Sequence, residues 1–523
     1  MSSSQTSHQR TDTEVSFSET ITGSPGTSTF IKSPIREQST GSTETGSDYA
    51  EDLSVIPPKH PYRTLILCFD GTGDQFDLDN SNIVTFFQML KKDDRNQQMV
   101  YYQAGIGTYT APQMATPFMT KFSKAMDQAI AWNLDAHVMG GYEFLMQNYI
   151  AGDRICLFGF SRGAYTARSL AGMIHKVGIL PACNHQQVPF AYKMYTRTDE
   201  MGWAQSNAFK KAFSIDVDIE FIGVWDTVNS VGIIPKRLPF TTSNTIVRTF
   251  RHAVSLDERR AKFKANLWNR PNADEACLGV ESTHDHHNPD GTHKNGHKHK
   301  SHSQSHMEAR YSKDHSLQTD IEEVWFAGCH CDVGGGSVSN DITSTLARIP
   351  LRWMIRECFK TNTGIMFDRS GLQELGLDPE SLFPHVKPRP PPLPLGSSRI
   401  RNMPPTVTKA VSATADLVRP SPKSEEEMDL EDALAPVYDQ LSLNWIWWIL
   451  EFLPLKHKYQ KGDSSWASWF GWNLGRGRII PKQKKQGVKV HRSVKARLET
   501  ETENGGKYVP KANLDLSCVI WVD

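Results

Sequence analysis

The chain has 523 residues, and its 58 basic and 58 acidic side chains give a formal net charge of zero. No global positive field therefore favours nucleic acid, which is not expected as a partner. The chain has no run of about 18 apolar residues, so no membrane-spanning helix is expected. Its first residues lack the apolar core of a secretory signal.

The eight cysteines are scattered along the chain, and several lie inside apolar runs. This usage suits buried thiols in a reducing compartment better than a disulfide framework. We therefore expect a cytoplasmic protein, whose contact with a membrane would be peripheral.

The N-terminal residues 1–58 are rich in Ser, Thr and Gly, and we expect a disordered tail. Order is predicted to begin with the strand "RTLILCF", which ends in "DGTGD". "SNIVTFFQML" then predicts a helix with Asn80 or Ser81 as its N-cap, and "QQMVYYQ" predicts a second strand.

Later segments continue the alternation of strands and helices. "KAMDQAIAWNLDAHVMGGYEFLMQNY" predicts a helix that breaks near Gly140 and Gly141, and "DRICLFGF" predicts a strand that leads into the helix "RGAYTARSLAGMIHKVG". "FIGVW" and "EVWFAG" predict two further strands. The pattern indicates the α/β class, with a mainly parallel sheet flanked by helices in one domain over residues 60–380.

Ligands of such sheets bind beyond the carboxyl ends of the strands. Four side chains that could take part in catalysis follow predicted strands: Asp70, Ser161, Asp226 and His330. Their shared position indicates one site at one edge of the sheet.

Two segments interrupt the domain pattern. Residues 284–315 contain nine of the 19 histidines and are predicted to be a flexible insertion; without fixed ligand spacing, only adventitious zinc or nickel binding is expected there. Residues 385–432 are rich in Pro, Ser and acidic residues and are predicted to be a linker, whose "RPPPLPLG" could recruit a partner with an aromatic groove.

Residues 433–523 are predicted to fold back onto the domain. They begin with "WIWWILEFLPL", whose length favours a packed helix or lid over a membrane-interface segment. The following "RGRIIPKQKKQGVKVHRSVK" is either a solvated basic loop or a contact for anionic head groups.

The motif that carries the chemistry is G-x-S-x-G, formed here by Gly159, Ser161 and Gly163 between a predicted strand and a predicted helix. A serine becomes a nucleophile when an imidazole takes its proton and a carboxylate orients the imidazole. The chain order Ser161, Asp226, His330 fits alpha/beta-hydrolases.

Alternatives to two of these three residues remain open. Asp332 is the other candidate for the carboxylate. His252, in a helix-like context, and His491, in a basic loop context, are weaker candidates for the imidazole.

An oxyanion hole needs backbone N–H donors. Arg162, directly after the serine, should supply one, and Gly71 or Thr72 the other. This chemistry requires no metal and no organic cofactor.

Six segments, in this order over roughly residues 62–358, resemble the catalytic domain of type VI secretion phospholipase effectors, a family formerly catalogued as a domain of unknown function. They are "LILCFDGTGD", "GFSRGAYTAR", "FIGVWDTV", "RHAVSLDERRAKF", "VWFAGCHCDVGGG" and "PLRWMI". The low-complexity tails are typical of a fungal member. The resemblance implies an alpha/beta-hydrolase fold and a triad of Ser161, Asp226 and His330 that cleaves phospholipid acyl esters.

Two other functions compete with that of a serine hydrolase of lipid esters. "FDGTG" is similar to the D-x-D-G-T signature of haloacid-dehalogenase phosphatases, but Cys68 stands where their nucleophilic aspartate would lie. The second alternative is an inactive hydrolase-like scaffold for protein or membrane interaction. The sequence leaves open whether the ester is a phospholipid, a smaller acyl ester or a thioester.

Overall fold

A computed structural model describes residues 54–106, 119–228, 237–269, 304–312, 318–395, 423–461, 464–500 and 507–523; for residues 119–133 and Lys458 it describes the backbone alone. All of these residues belong to one compact unit, residues 51–523. Of the tail predicted for residues 1–58, residues 1–53 lie outside the described residues, while Val55 and Ile56 form a short strand. Most of the His-rich insertion and the middle of the predicted linker also lie outside the described residues.

The described residues form twelve strands. They are β1 (Val55–Ile56), β2 (Thr64–Phe69), β3 (Gln98–Gln103), β4 (Arg154–Phe160), β5 (Ile219–Trp225), β6 (Val247–Ser255), β7 (Asp320–Phe326), β8 (Phe367–Asp368), β9 (Leu455–Gln460), β10 (Trp466–Gly471), β11 (Val488–His491) and β12 (Val519–Val522).

The helices of the same residues cover the strands. They are α1 (Asn82–Gln88), α2 (Met119–Asn148), α3 (Ser161–Val177), α4 (Val188–Thr196), α5 (Glu200–Phe213), α6 (Gln304–Arg310), α7 (His330–Gly334), α8 (Arg348–Lys360), α9 (Arg369–Leu375), α10 (Pro379–Leu382), α11 (Glu425–Leu434), α12 (Gln440–Leu443), α13 (Ile446–Glu451), α14 (Gln483–Gln486) and α15 (Ser493–Glu499). Short 3₁₀ turns lie at His185–Gln187 and Leu516–Cys518.

Eight strands form one sheet in the order β12-β11-β7-β6-β5-β4-β2-β3, and every neighbouring pair is parallel. Side chains of β2 alternate between two cores: Leu65, Leu67 and Phe69 pack under α2 to α5, whereas Ile66 and Cys68 pack under α1, α8 and α9. A parallel sheet covered on both faces explains why these strands are continuous apolar runs. The predicted α/β class is confirmed.

Helix α2 differs from the prediction because it runs without a break through Gly140 and Gly141. A Cβ added at Gly141 would lie 2.7 Å from the ring of Phe69 and 3.0 Å from Leu170. The glycine therefore lets α2 approach the sheet and α3 closely, and this packing outweighs its low helix propensity.

Two segments predicted to be flexible contain helices at their described ends. Residues 304–310 of the His-rich insertion form α6, in which Glu308 is buried and accepts a hydrogen bond from Phe240 N at 3.0 Å. The acidic end of the predicted linker forms α11, which Ser424 and Glu427 begin with a capping box. Local capping and buried polar contacts therefore order both ends.

The C-terminal residues extend the large sheet at one edge. Strand β11 pairs with β7 through Val490 and Trp325, and β12 pairs with β11. Strands β9 and β10 form a separate antiparallel hairpin.

Candidate active site

Ser161 lies at a sharp turn between strand β4 and helix α3. Its φ is 57°, a left-handed conformation that costs free energy in any residue with a side chain. A Cβ at Gly159 would lie 2.6 Å from the backbone of Ala164, and one at Gly163 would lie 2.3 Å from the carbonyl oxygens of β2 and the following loop. Only glycine fits at these two positions, which explains the spacing of the motif.

His330 begins the short helix α7, soon after strand β7 ends. Its Nε2 lies 2.7 Å from Ser161 Oγ, and its Nδ1 lies 2.6 Å from Asp226 Oδ2. All three residues are buried. The structure therefore brings the three predicted side chains into one hydrogen-bonded row.

Asp226 directly follows strand β5 and is fully buried. Its carboxylate accepts hydrogen bonds from Ser255 N at 2.9 Å and from the Arg478 guanidinium at 2.5 and 2.8 Å. Burial by itself would raise the pKa of Asp226, but the charge of Arg478 and the hydrogen bond from His330 hold that pKa well below its usual range. The group that faces the imidazole is therefore a carboxylate ion.

Asp332, the other candidate for the carboxylate, points away from the imidazole. Its Oδ2 accepts from Cys329 N at 2.8 Å and from Tyr438 N at 3.0 Å. Burial raises the pKa of Asp332 to about 6. Of the two carboxylates, Asp226 is the one that contacts His330.

The other two candidate histidines lie in strands, contrary to the contexts predicted for them. His252 belongs to β6, donates to Glu323 Oε1 at 2.9 Å and accepts from Thr227 N at 3.1 Å. His491 belongs to β11, and its ring stacks on Phe326 at 5.0 Å. Both imidazoles have structural partners and neither forms a hydrogen bond with Ser161.

The loop after β2 lies against the serine turn, since the hypothetical Cβ of Gly163 meets its carbonyl oxygens. Within that loop, Gly71 N donates to Asp70 Oδ1 at 2.8 Å. Thr72 Oγ1 is buried and has no hydrogen-bond partner among the described residues. Of the two loop N–H groups predicted as donors to an oxyanion, that of Gly71 therefore already donates to Asp70.

Asp70 fixes this loop and does not contact His330. Its carboxylate accepts from Ser81 Oγ at 2.6 Å and Tyr102 Oη at 2.7 Å. Ser81 is also the N-cap of α1. Asp70 therefore ties the loop to α1 and β3.

An aromatic layer covers the imidazole. Phe263 packs edge-on against His330 at 4.9 Å, and Trp447 of α13 packs against Phe263 at 5.6 Å. The Arg260 guanidinium lies over both of these aromatic rings, at 3.6 and 4.7 Å from their centroids. The segment "WIWWILEFLPL" therefore covers the site through one side of a helix.

Helix α13 is anchored at its end by Glu451, which is fully buried. Its carboxylate accepts from Ala261 N at 2.5 Å, Asn473 Nδ2 at 2.6 Å and Gly475 N at 2.8 Å. These bonds join α13 to the loop after β6 and to the segment after β10.

The outer side of the same region is apolar and exposed: Trp445 is 73% exposed, Phe470 72% and Phe452 62%. We call this the exposed apolar surface; it comprises Leu443, Trp445, Ile446, Ile449, Phe452, Leu453, Phe470, Trp472 and Leu474. The packed helix predicted from the sequence is thus packed on one side only.

Arg478 is the site residue that the sequence analysis missed. It was included only in a basic run, and its partner Asp226 lies 252 positions earlier. No local pattern distinguishes it from the neighbouring basic residues.

Among the described residues, no group of three or more His, Cys, Asp or Glu side chains could hold a metal ion. None of the described helices has the length and hydropathy needed to cross a bilayer.

Comparisons with known proteins identify relatives of the whole chain and of its central part. A Saccharomyces cerevisiae protein, the uncharacterized protein YEL023C, is 27% identical over 583 aligned positions, which cover 89% of this chain and 84% of that protein. An uncharacterized Pseudomonas aeruginosa protein of known structure has a TM-score of 0.32 and 16% identity over 61% of this chain; the match spans about half, 49%, of that protein.

The structure of the Tle1 effector bound to the VgrG spike of the type 6 secretion system has a TM-score of 0.32 and 13% identity, covering 62% of this chain and 78% of that one. The sequence profile of the T6SS Tle1-like phospholipase effector catalytic domain matches residues 63–357, more than half of the chain. The protein therefore belongs to the family of Tle1-like phospholipase effector catalytic domains.

Proposed function

We propose that the protein is a serine hydrolase that cleaves acyl esters of lipids, with Ser161 as nucleophile, His330 as base and Asp226 as the group that orients His330. The observation that carries the proposal is the row of hydrogen bonds of 2.7 and 2.6 Å that joins the three side chains at a strained strand-to-helix turn. Membership of a phospholipase effector family favours lipid esters as the substrates.

In this reaction Ser161 Oγ attacks the ester carbonyl carbon while His330 Nε2 takes the hydroxyl proton. The tetrahedral intermediate collapses, its C–O bond to the alcohol breaks, and the alcohol leaves with the proton from His330. Water then attacks the acyl-serine with His330 again as base, and the fatty acid leaves as Ser161 regains its proton. The N–H groups of Arg162 and Thr72 are the proposed donors to the oxyanion.

The electrostatics of the row suit a base at neutral pH. Burial lowers the pKa of His330 below its usual value of 6.5, although the Asp226 carboxylate opposes that shift. The imidazole is therefore neutral at pH 7 and can accept the serine proton. Asp226 stabilises the imidazolium that forms.

We also propose that the exposed apolar surface rests on an anionic membrane. Tryptophan side chains are favoured at the boundary between water and lipid, and this surface includes Trp445 and Trp472. The side chains of Lys456, Lys461 and Arg476 are exposed beside it and complement acidic head groups. Part of the surface belongs to α13, the helix that covers His330, so bound lipid would lie next to the candidate site.

Labelling of the purified full chain with a fluorophosphonate probe tests the proposed nucleophile. Wild type should become labelled and Ser161→Ala should not, because the reactive hydroxyl is gone. The same change at the exposed Ser468 is the matched control and should leave labelling intact. Hydrolysis of a lipid ester by Ser161→Ala should fall by about 10³-fold or more.

Two results would contradict the proposal. Persistent labelling of Ser161→Ala would place the reactive serine elsewhere. A folded wild type that stays unlabelled even with anionic vesicles present would favour the inactive scaffold.

A further inference from the structure

A large cavity lies beside the β9–β10 hairpin, apart from the candidate active site. Its volume is about 1340 Å³, and it is lined by the loop after β6, the hairpin and the segment between β10 and β11. Neither Ser161 nor His330 lines it. Arg478 does line it, and the same side chain pairs with Asp226, so only Arg478 separates the cavity from Asp226.

The wall of this cavity is strongly basic. Among the described residues, eight lysine and arginine side chains line it against one carboxylate, Glu323, which already accepts from His252. Among them, Arg237 pairs with Glu308, Arg478 with Asp226 and Lys489 with Glu322.

Three further cations of the wall are Lys264, Lys456 and Arg476. No carboxylate of the described residues lies within 4.0 Å of the side-chain nitrogens of Lys264, Lys456 or Arg476. Lys264 Nζ donates to Asn473 Oδ1 at 2.6 Å. Burial, and then the nearby charges of Arg478 and Arg476, lower the pKa of Lys264 to about 8. An anion placed here would relieve the repulsion among these cations.

The wall also contains several aromatic side chains. Trp268, Trp325 and Trp469 line the cavity together with apolar side chains of the hairpin. Phe470 belongs both to the cavity wall and to the exposed apolar surface. The cavity is therefore continuous with the surface proposed to meet lipid.

We propose that this cavity binds one anionic phospholipid, with its phosphate between Lys264 and Arg476 and its acyl chains along the tryptophan side chains. A free phosphate would fill only a small part of the volume and would leave the aromatic wall without a partner, whereas drug-sized ligands already occupy about 300–1,000 Å³. The inference goes beyond the proposed function, because the cavity excludes Ser161 and binding does not require hydrolysis.

The test uses the full-length Ser161→Ala variant, which should be unable to turn a lipid over. Isothermal titration with dihexanoyl phosphatidic acid, below its micelle concentration, should show saturable binding of one molecule per chain. Inorganic phosphate and dihexanoyl phosphatidylcholine should each bind about tenfold more weakly or worse, because one lacks the chains and the other lacks the net charge.

Variants in the Ser161→Ala background locate the ligand. Arg476→Glu and, separately, Lys456→Glu should each weaken binding by about tenfold or more, since both reverse an exposed cation of the wall. Lys485→Glu reverses an exposed cation outside the cavity and should leave the affinity unchanged. Far-ultraviolet circular dichroism of each variant checks that it folds.

An affinity for dihexanoyl phosphatidic acid that is unchanged in both Arg476→Glu and Lys456→Glu would overturn the proposal. So would equal affinity for inorganic phosphate, which would make this an anion site alone, or equal affinity for phosphatidylcholine, which would remove the role of charge. If wild type resists fluorophosphonate while titration succeeds as described, the lipid site stands and the proposed hydrolase activity falls.

Discussion

At the scale of single residues, the carboxylate of Asp226 contacts two partners. It accepts the Nδ1 hydrogen bond of His330, and it forms a two-pronged ion pair with Arg478. The guanidinium fixes the carboxylate in place, but it also offsets part of the negative charge that would stabilise an imidazolium. We therefore expect Arg478 to act as a positioning residue for Asp226 and to tune the basicity of His330 without touching it.

Replacing Arg478 with Met should therefore raise the pKa of His330, because the buried carboxylate would face the imidazole alone. The base acts in its neutral form, so the acid limb of the pH profile of kcat/KM should move to higher pH. In wild type that limb should lie below pH 6.5, since burial lowers the pKa of His330. A pH profile on a soluble ester measures both, and activity at pH 7 should fall about 10- to 100-fold as Asp226 loses its support.

Arg478→Lys keeps a charge near Asp226 but loses the fork of two donors, so its acid limb should move less. Lys484→Met, a change of an exposed cation a few residues along the chain, is the control. An acid limb that stays in place in Arg478→Met while activity falls would show that Arg478 is merely structural.

The sequence predicts some residues of the candidate site and leaves others without any signal. Ser161, Asp226 and His330 each follow a strand of a parallel sheet, and the fold gathers the ends of such strands at one edge. Asp226 and Asp332 could not be told apart, because the choice depends on which way each carboxylate points. Arg478 had no signal, since its buried partner is distant in the chain and nothing local marks the pairing.

At the scale of elements, helix α13 has two sides with different tasks. Trp447 and Glu451 hold it against the loop that covers His330, while Trp445 and Ile446 face outward. A helix anchored by buried hydrogen bonds does not need those outward side chains for its own packing. The lipid contact proposed above would remove these side chains from water.

The double change Trp445→Ser and Phe452→Ser should weaken binding to vesicles of anionic lipid by about tenfold or more, because two large side chains would no longer leave water. Hydrolysis of a soluble ester should stay within about twofold of wild type, since neither side chain packs on His330. Co-sedimentation with vesicles and a soluble-ester assay give the two readouts.

Phe213→Ser, at the exposed end of α5, removes a comparable aromatic side chain elsewhere and should change neither readout. An equal loss in both assays for the double variant would mean that the outward side chains support the cover over His330 instead of contacting lipid.

Two elements, α2 and α11, differ from what their local sequence patterns predict. The glycine pair in α2 reads as a break, yet Gly141 is the residue that allows close contact with Phe69 and Leu170. The acidic run before residue 435 reads as a linker, yet Asp429 and Asp432 pair with the buried Arg352 at 2.7 and 2.5 Å. In both cases the deciding partners lie in other elements.

At the scale of the whole molecule, the part matched by the family profile is incomplete by itself. That part ends at residue 357. Beyond it, Arg478 pairs with Asp226, β11 extends the sheet beside β7, and α11 packs on α8 through Arg352. Both the candidate site and the sheet therefore depend on residues that follow the predicted linker.

A cut in that linker tests this dependence. A specific protease site inserted between Lys409 and Ala410, followed by cleavage, should leave the two fragments eluting together in gel filtration. The reason is that their contacts include a buried strand pairing and buried ion pairs, which remain after the chain is opened. Fluorophosphonate labelling of the cut protein should persist, because Arg478 would still hold Asp226.

The matched variant for this experiment is Arg352→Met, which leaves Asp429 and Asp432 buried without that guanidinium. Removing one partner from a buried ion pair costs about 3–5 kcal/mol, so the cut variant should dissociate at a lower urea concentration than the cut wild type. Lys423→Met removes the more exposed pair with Glu431 and should shift that concentration little. Fragments of the cut wild type that separate in plain buffer would contradict the argument, because the C-terminal part would then contribute too little binding free energy to complete the site.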